Sequence, residues 1–254
     1  MISARKVAIV TGAASGMGRM AAQRLAADGT AVVAVDVDAD GLAVTADLAP
    51  TITTRVCDVA DGDAMERLVA HTEAEFGPID RLTAAAAIAP TGPLADQPTE
   101  LILKAMDVNY GGVVRAVKAV LPSMQARRSG EIIVFASLAG WMPTPSLGAY
   151  SATKHALVAF TEVLAHEQRD SGIRFACVCP SLVDTPMVRQ LEAGGISAHQ
   201  QAPAIAPADV IDAVELALAK GQLMVFPGRG TTAMVRTRRL APKVLWRLLD
   251  RSMT

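Results

Sequence analysis

Short apolar segments alternate with longer amphipathic segments along the whole chain. The short segments are apolar on both faces, which is typical of strands in a parallel sheet that helices cover on both sides. The pattern predicts strands at Val7–Thr11, Ala31–Asp36, Ile52–Cys57, Arg81–Ala85, Glu131–Ser137, Arg174–Cys179 and Leu223–Phe226. It predicts helices at about 16–28, 39–48, 62–76, 99–125, 150–170 and 207–219.

This alternation runs through the sequence without a repeat or a linker, so we expect one domain over residues 1–254. The predicted fold is α/β: a single doubly wound Rossmann-type domain whose seven-stranded parallel sheet is flanked by helices. In such a sheet a ligand binds beyond the carboxyl ends of the strands. An irregular segment at about 180–206 is long enough to act as a substrate lid.

Composition and charge exclude several classes of protein. Apolar residues make up 51% and charged residues 19% of the chain, which excludes a disordered protein. Aromatic residues are only 4% and the net charge is −1, so we expect no nucleic-acid partner. The four histidines have no metal-ligand spacing, so no metal is expected.

The charge is unevenly distributed, because residues 236–254 contain six basic side chains and one acidic one. Helical spacing places the apolar side chains of about 242–253 on one arc and the charged ones on the other. We expect a C-terminal amphipathic helix that packs on protein, and contact with an anionic membrane surface is the alternative.

The cysteines and the N-terminus bear on the compartment. Cys57, Cys177 and Cys179 are an odd number and lie in apolar segments, which predicts reduced, buried thiols rather than disulfides. The first strand begins within a few residues of Met1, so no signal peptide is predicted. No uncharged apolar run is long enough to span a bilayer. The sequence therefore predicts a soluble, cytoplasmic protein.

A glycine-rich turn follows the first predicted strand. The sequence TGAASGMG at 11–18 leads directly into an alanine-rich helix. Glycines there permit a tight turn and close approach of a pyrophosphate, and the helix N-terminus offers N–H groups and a positive dipole end. The turn therefore predicts a dinucleotide site, with cofactor contacts at Gly12, Ser15, Gly16, Met17 and Gly18.

Asp36 ends the second predicted strand, 18 residues after Gly18. A carboxylate at this position can accept hydrogen bonds from both adenosine ribose hydroxyls, whereas its charge would repel a 2′-phosphate. Neither Ser15 nor Val37 is basic. We therefore predict NAD rather than NADP as the cofactor.

Tyr150 and Lys154 have i, i+4 spacing, which places both on one face of a predicted helix. Free tyrosine titrates near a pKa of about 10, and a nearby ammonium favours the phenolate. Ser137 ends a predicted strand 13 residues before Tyr150. These three residues are candidate catalytic groups.

These motifs together resemble the short-chain dehydrogenase/reductase family, single-domain branch, over about residues 5–228. The resemblance implies that Tyr150 is the general acid/base and that Lys154 lowers its pKa while binding the nicotinamide ribose. It also implies that Ser137 binds the substrate oxygen and that Asn109 supports a water-mediated proton relay. The motifs that carry it are TGAASGMG at 11–18, Asp36, Asp58-Val59, Asn109, Ser137, YSATK at 150–154 and Pro180 to Met187.

The resemblance also implies where the rest of the cofactor binds. Asp58 and Val59 would flank the adenine, and Val183 and Thr185 would hold the nicotinamide carboxamide. The family further implies a homodimer or homotetramer built on helices 99–125 and 150–170. The remaining cofactor contacts are expected at Val37, Ala85, Ala86, Pro180 and Met187.

Two positions depart from the family pattern. Ala84-Ala85-Ala86-Ala87 stands where the family has Asn-Asn-Ala-Gly, so side-chain bonds that brace the sheet centre are absent. Ser181 stands where a glycine is usual, which is expected to narrow the nicotinamide end of the site. Neither change removes a proton-transfer group.

By resemblance, the segments after Ser137 and after Pro180 form the substrate pocket. No Arg or Lys precedes Arg189 there to bind a carboxylate or phosphate, so an apolar alcohol or ketone is expected. Contact of some of these residues with a neighbouring subunit is the alternative. Besides Ser137 and Tyr150, the predicted walls comprise Leu138, Trp141, Met142, Pro143, Pro145, Leu147, Leu182, Met187, Val188 and Leu191.

The sequence thus predicts an NAD-dependent oxidoreductase acting on an apolar secondary alcohol or ketone. Two alternatives stay open: an NADPH-dependent ketoacyl-type reductase, and a nucleotide-binding regulator without turnover. Asp36 argues against the first, and the set of Asn109, Ser137, Tyr150 and Lys154 argues against the second.

Overall fold

A computed structural model describes residues 5–193 and 204–241. Seven parallel strands form one sheet in the order β3-β2-β1-β4-β5-β6-β7. The strands are β1 (Val7–Thr11), β2 (Ala31–Asp36), β3 (Ile52–Val56), β4 (Arg81–Ala84), β5 (Gly130–Phe135), β6 (Ile173–Val178) and β7 (Met224–Val225). The described helices are α1 (Gly16–Ala27), α2 (Ala39–Ala46), α3 (Gly62–Phe76), α4 (Thr99–Met106), α5 (Gly112–Arg127), α6 (Gly148–Glu167), α7 (Pro186–Ala193), α8 (Pro207–Ala219) and α9 (Thr231–Leu240).

The sheet is buried on both faces, as the unbroken apolar runs predicted. Alternate side chains of each strand point to opposite faces, so Ile9 and Val10 of β1 lie in two different hydrophobic cores. One core is completed by α3, α5 and α6, and the other by α1, α2 and α8. The predicted doubly wound α/β fold is confirmed.

The strand order reverses between β1 and β4, which is where ligands bind in sheets of this kind. The chain leaves β1 for α1 on one face and leaves β4 on the way to α4 and α5 on the other. The carboxyl ends of these two neighbouring strands therefore leave a crevice, bordered by the glycine-rich turn on one side and by Ala85–Ala89 on the other.

Three elements differ from the sequence prediction. The predicted helix 99–125 is divided by one π-helical turn at Asp107–Gly111, and this turn contains Asn109. The segment predicted to be irregular at 180–206 contains α7, and Val183 pairs with Ile205 in a short parallel bridge. Helix α9 was not predicted, because its polar sequence carries only a short apolar stripe. The predicted helix at 242–253 and residues 194–203 of the predicted lid lie outside the described residues.

Candidate active site

The glycine-rich turn joins β1 to α1 and can be built only with glycine at two positions. Gly12 has a φ of +70°, and a Cβ there would lie 2.6 Å from the backbone nitrogen of Ala86. A Cβ on Gly18 would lie 2.1 Å from the carbonyl oxygen of Gly12. The glycine-rich turn therefore packs closely against the loop after β4. The start of helix α1 packs equally closely against the glycine-rich turn.

The N-terminus of α1 fits an anionic group. Ser15 is the N-cap residue, but its side chain makes no capping hydrogen bond. The first N–H groups of an α-helix have no partner within the helix, and the positive end of the helix dipole lies there. Ser15 is exposed and Gly16 is only partly buried, so a phosphate could reach these groups.

Asp36, at the end of β2, holds the turn from the side. Its Oδ2 accepts a hydrogen bond of 3.1 Å from the N–H of Ala14. Its Oδ1 accepts from the N–H groups of Val37 and Asp38 at 2.8 and 3.2 Å. The carboxylate is thus fixed beside the turn, and Oδ2 keeps a lone pair for a ribose hydroxyl.

Other predicted cofactor residues lie around the same crevice. Thr185 packs against the turn, because a Cβ on Gly16 would lie 3.5 Å from its Cγ2. Val59 is buried against Gly112 of α5, whereas Asp58 is exposed and its Oδ1 accepts from the N–H of Ala60 at 2.9 Å. Pro180 and Val183 are buried, Ala85, Ala86, Met17 and Met187 are partly buried, and Val37 is exposed.

The candidate catalytic residues meet beyond the carboxyl end of β5. Ser137 follows this strand, and its Oγ accepts a hydrogen bond of 3.1 Å from the N–H of Ala139. Lys154 is buried in α6 and donates from Nζ to the carbonyl oxygen of Phe135 at 2.6 Å. The same Nζ lies 5.4 Å from the ring centroid of Tyr150. The structure thus places the side chains of Ser137, Tyr150 and Lys154 next to one another.

The pKa of Tyr150 corrects one prediction. Burial raises it to about 12, and the hydroxyl of Ser137, which lies within hydrogen-bonding reach, acts in the opposite direction. Lys154 was predicted to lower this pKa, but its ammonium is directed at the carbonyl of Phe135, and burial lowers its own pKa to about 8. Desolvation is therefore the dominant influence on the pKa of Tyr150.

Asn109 holds two elements together through its buried side chain. Its Oδ1 accepts from the N–H of Ile88 and its Nδ2 donates to the carbonyl of Ile88, both at 2.8 Å. Nδ2 also donates to Oγ1 of Thr153 at 3.0 Å, and this hydroxyl donates to the carbonyl of Tyr150 at 2.7 Å. Asn109 thereby fixes the loop after β4 relative to the turn of α6 that carries Tyr150. The role of Thr153 was not predictable from the sequence, because it depends on a contact with a residue 44 positions away.

The two departures from the family pattern have structural counterparts. Near Ala84–Ala87, Oγ1 of Thr11 accepts from the N–H groups of Ala85 and Ala86 at 3.2 and 3.4 Å, so β1 still braces this loop. The side chain of Ser181 lies against Gly228, because a Cβ on Gly228 would be 2.3 Å from its Oγ. The serine hydroxyl therefore occupies space beside Gly228, and the predicted narrowing has no support here.

The predicted substrate residues divide into two groups. Leu138, Leu147, Leu182 and Met187 are partly exposed and can border an open apolar cleft. Met142 and Leu191 are buried, at 6% and 9% exposure, so they support the cleft from behind.

Trp141 is partly exposed and also packs against the core. Its ring lies edge-on to Phe226 with the centroids 5.9 Å apart, and its indole nitrogen is buried. Its place in the substrate pocket stays a prediction.

Three further observations concern thiols, metal ions and membranes. The three cysteines are buried and unpaired. Within residues 5–193 and 204–241, no cluster of His, Cys, Asp or Glu side chains is arranged to hold a metal ion. No helix in the same ranges is long and apolar enough to cross a membrane.

Comparison with known proteins identifies the family. Residues 6–195 match the model of the short chain dehydrogenase family. A Mycobacterium tuberculosis protein named as an uncharacterized NAD-dependent oxidoreductase is 37% identical over 201 residues, covering 72% of this chain and 73% of the relative. The chain therefore belongs to the short-chain dehydrogenase/reductase family, and it is an oxidoreductase.

Two solved structures resemble it closely. A short-chain dehydrogenase/reductase from Burkholderia phymatum in complex with NAD has a TM-score of 0.86 at 27% identity, covering 96% of both chains. A variant of actinorhodin polyketide ketoreductase with NADPH has a TM-score of 0.83 at 30% identity, covering 89% of this chain and 97% of the other. Similar folds thus bind either nicotinamide dinucleotide, and the choice depends on local residues.

Proposed function

We propose that this protein is an NAD(H)-dependent oxidoreductase that transfers a hydride between nicotinamide and an apolar secondary alcohol or ketone, with Tyr150 as the general acid/base. The observation that supports this most strongly is the meeting of Tyr150, Ser137 and the buried ammonium of Lys154 beside the glycine-rich crevice. A protein that only senses a dinucleotide would not need this proton-transfer group.

Each of these side chains has a distinct part in the proposed reaction. In the oxidative direction Tyr150 reacts as the phenolate and takes the proton of the substrate hydroxyl, while Ser137 hydrogen-bonds the substrate oxygen. Lys154 supplies a buried positive charge that favours this phenolate over the neutral phenol, and Asn109 and Thr153 hold Tyr150 in place. When bound, nicotinamide supplies the carbon that accepts or gives the hydride.

The residues around Asp36 fit NAD better than NADP. The fixed carboxylate can accept a ribose hydroxyl through Oδ2 and would repel a 2′-phosphate. Arg19 is the basic residue of the first turn of α1, but its guanidinium donates to the carbonyls of Ala14 and Gly41 and to Oγ1 of Thr45. These bonds hold the Arg19 guanidinium on the side of the turn that faces α2, so its charge is not available to bind a 2′-phosphate.

The cleft beside Ser137 favours an apolar substrate. Its partly exposed residues are Leu138, Leu147, Leu182 and Met187, and the first basic side chain after Pro180 is Arg189. Arg189 is exposed and bonded to Asp184 at 2.5 Å. The described part of this cleft therefore has no unpaired basic side chain to bind a substrate carboxylate or phosphate.

We also propose a homodimer or homotetramer formed through the helix pair that the family resemblance indicated. Leu103 of α4 and Val163 of α6 are 62% and 57% exposed in the single chain, and a second copy would cover such side chains. Light scattering of the purified protein would give the assembly size.

The test of the proposed function is a panel of secondary alcohols of graded size and polarity, assayed for NAD and NADP reduction. We expect turnover with NAD, increasing with the apolar character of the substrate. Better turnover with NADP, favoured by carrier-linked ketoacyl substrates, would support the ketoacyl-type reductase, in line with the NADPH-bound structural neighbour. Binding of NAD without turnover across the panel and the corresponding ketones would support a regulator.

A further inference from the structure

Helix α2 lies directly on the glycine-rich turn, although none of its residues was a candidate for the site. A Cβ on Gly41 would lie 2.8 Å from the Cβ of Ala14 and 2.9 Å from its carbonyl oxygen. The side chain of Asp38 accepts from the N–H of Gly41 at 3.0 Å and caps the helix at this contact. The first turn of α2 therefore packs directly against the glycine-rich turn.

Thr45 is the centre of this contact and is completely buried. Its hydroxyl donates to the carbonyl of Ala13 at 2.8 Å, sharing its hydrogen with the carbonyl of Gly41 at 3.0 Å. The same oxygen accepts from Nε of Arg19 at 2.9 Å. One hydroxyl thus links α2, the turn and α1.

The result is that two successive residues of the turn have both their N–H and their carbonyl groups hydrogen-bonded. Ala13 donates its N–H to the carbonyl of Val35 at 3.1 Å and accepts from Thr45 through its carbonyl. Ala14 donates its N–H to Asp36 and accepts from Arg19 through its carbonyl. Hydrogen bonds from Thr45 and Arg19 therefore fix the position of the glycine-rich turn relative to the Asp36 carboxylate.

We propose that Thr45, together with Arg19, is a positioning residue for the dinucleotide site, setting cofactor affinity and NAD preference through the turn without touching the cofactor. The inference rests on the proposed function, because it assigns Thr45 to the same NAD site. A turn that is already ordered loses less conformational entropy when the cofactor binds. Loosening it should therefore weaken binding while leaving the chemistry at Tyr150 intact.

The primary test is Thr45→Val, which keeps the side-chain shape and removes the hydroxyl. We expect the Kd for NAD, measured by equilibrium titration, to rise about fivefold to tenfold, as for ordering about one more residue of the turn when NAD binds. The KM for NAD should rise in parallel, and kcat at saturating NAD should stay within about twofold. The ratio of kcat/KM for NAD to that for NADP should fall. Thr45→Ser keeps the hydroxyl, so all of these values should stay close to those of wild type.

Thr72→Val is the matched control. Thr72 is also buried, and its hydroxyl donates to the carbonyl of Leu68 one turn earlier at 2.8 Å, but it lies on α3. The Thr72→Val variant loses the same kind of threonine-to-carbonyl hydrogen bond within a helix, but this helix does not contact the glycine-rich turn. The Kd of this variant for NAD should therefore equal that of wild type. If Thr45→Val does not fold, Arg19→Met tests the same support from the partly exposed side and should raise the Kd in the same way.

The outcomes separate the two proposals. Equal Kd values for Thr45→Val, Thr72→Val and wild type would overturn the positioning role while leaving the proposed function intact. A loss of kcat as large as the rise in KM would also overturn it, since the turn would then affect the chemistry itself. A wild-type protein that binds neither dinucleotide would instead contradict the proposed function.

Discussion

Replacing Lys154 should make the protein more stable and less active. The Lys154 side chain is 3% exposed, and burial lowers its pKa from 10.5 to about 8. A shift of this size corresponds to about 3 kcal/mol by which the buried ammonium disfavours folding at neutral pH. The proposed catalytic site therefore contains a charge that is costly to the fold.

Lys154→Met removes the charge and keeps an unbranched side chain of similar length. It also removes the hydrogen bond to the carbonyl of Phe135, which we take as about 1 kcal/mol. The variant should therefore be about 2 kcal/mol more stable than wild type at pH 7, and its Tm should rise by roughly 4–8 °C. Turnover should fall sharply, and NAD binding should weaken.

The pH dependence distinguishes this cause from simple repacking. Below pH 8 Lys154 is protonated in both the folded and the unfolded chain, so the full penalty is present. Between pH 8 and 10.5 the folded protein has lost the proton and the unfolded chain still holds it, so wild-type stability rises relative to the variant. The difference should shrink across this range. Tyr150 contributes equally to both proteins, because its pKa of about 12 keeps it protonated in the folded state up to pH 10.5.

The assay is urea unfolding of both proteins at pH 7, 9 and 10.5. Lys220→Met, at an exposed lysine that follows α8, is the control and should stay within about 0.5 kcal/mol of wild type at every pH. A variant less stable than wild type at pH 7, or a difference that does not change with pH, would refute the reasoning.

Three further predictions concern other parts of the molecule. Asp36→Ala should reduce the preference for NAD over NADP, measured as a ratio of kcat/KM, by about tenfold or more, and an unchanged ratio would show that another residue selects the cofactor. Arg81→Met removes one of the two arginines that pair with Glu131 at the amino ends of the strands, and Arg174 remains as the other. Unfolding should therefore cost about 2 kcal/mol less, as for the loss of hydrogen bonds to a charged group, while the KM for NAD stays the same; a Tm within about 2 °C of wild type would contradict this. The three buried cysteines should react with a thiol reagent only after denaturation, since burial also raises the pKa of Cys57, and rapid reaction of the native protein would indicate an opening that the structure lacks.

Features that depend on local patterns were predictable from the sequence. The strands were predicted to within a residue or two at most ends, because their apolar runs are continuous and end at turn residues. The positions of Gly12, Asp36 and the Tyr150–Lys154 pair follow from strand ends and helical spacing. These features place the crevice before any coordinate is known.

Features that depend on long-range packing were not predictable. The contact of Thr45 with Ala13 joins residues 32 positions apart, and threonine within a helix carries no signal for it. The raised pKa of Tyr150 results from burial by segments distant in sequence, which spacing does not reveal. The inward packing of Trp141 depends on Phe226 in the same way.

The most direct test of the proposed function is Tyr150→Phe, assayed for NAD-linked turnover and for NAD binding in the same preparation. The substitution removes one oxygen and keeps the ring, so the Kd for NAD should stay within about twofold of wild type. Turnover should fall by about 10²–10⁴-fold, the usual contribution of a general acid/base. Turnover within a few-fold of wild type would contradict the assignment of Tyr150 as the proton-transfer group.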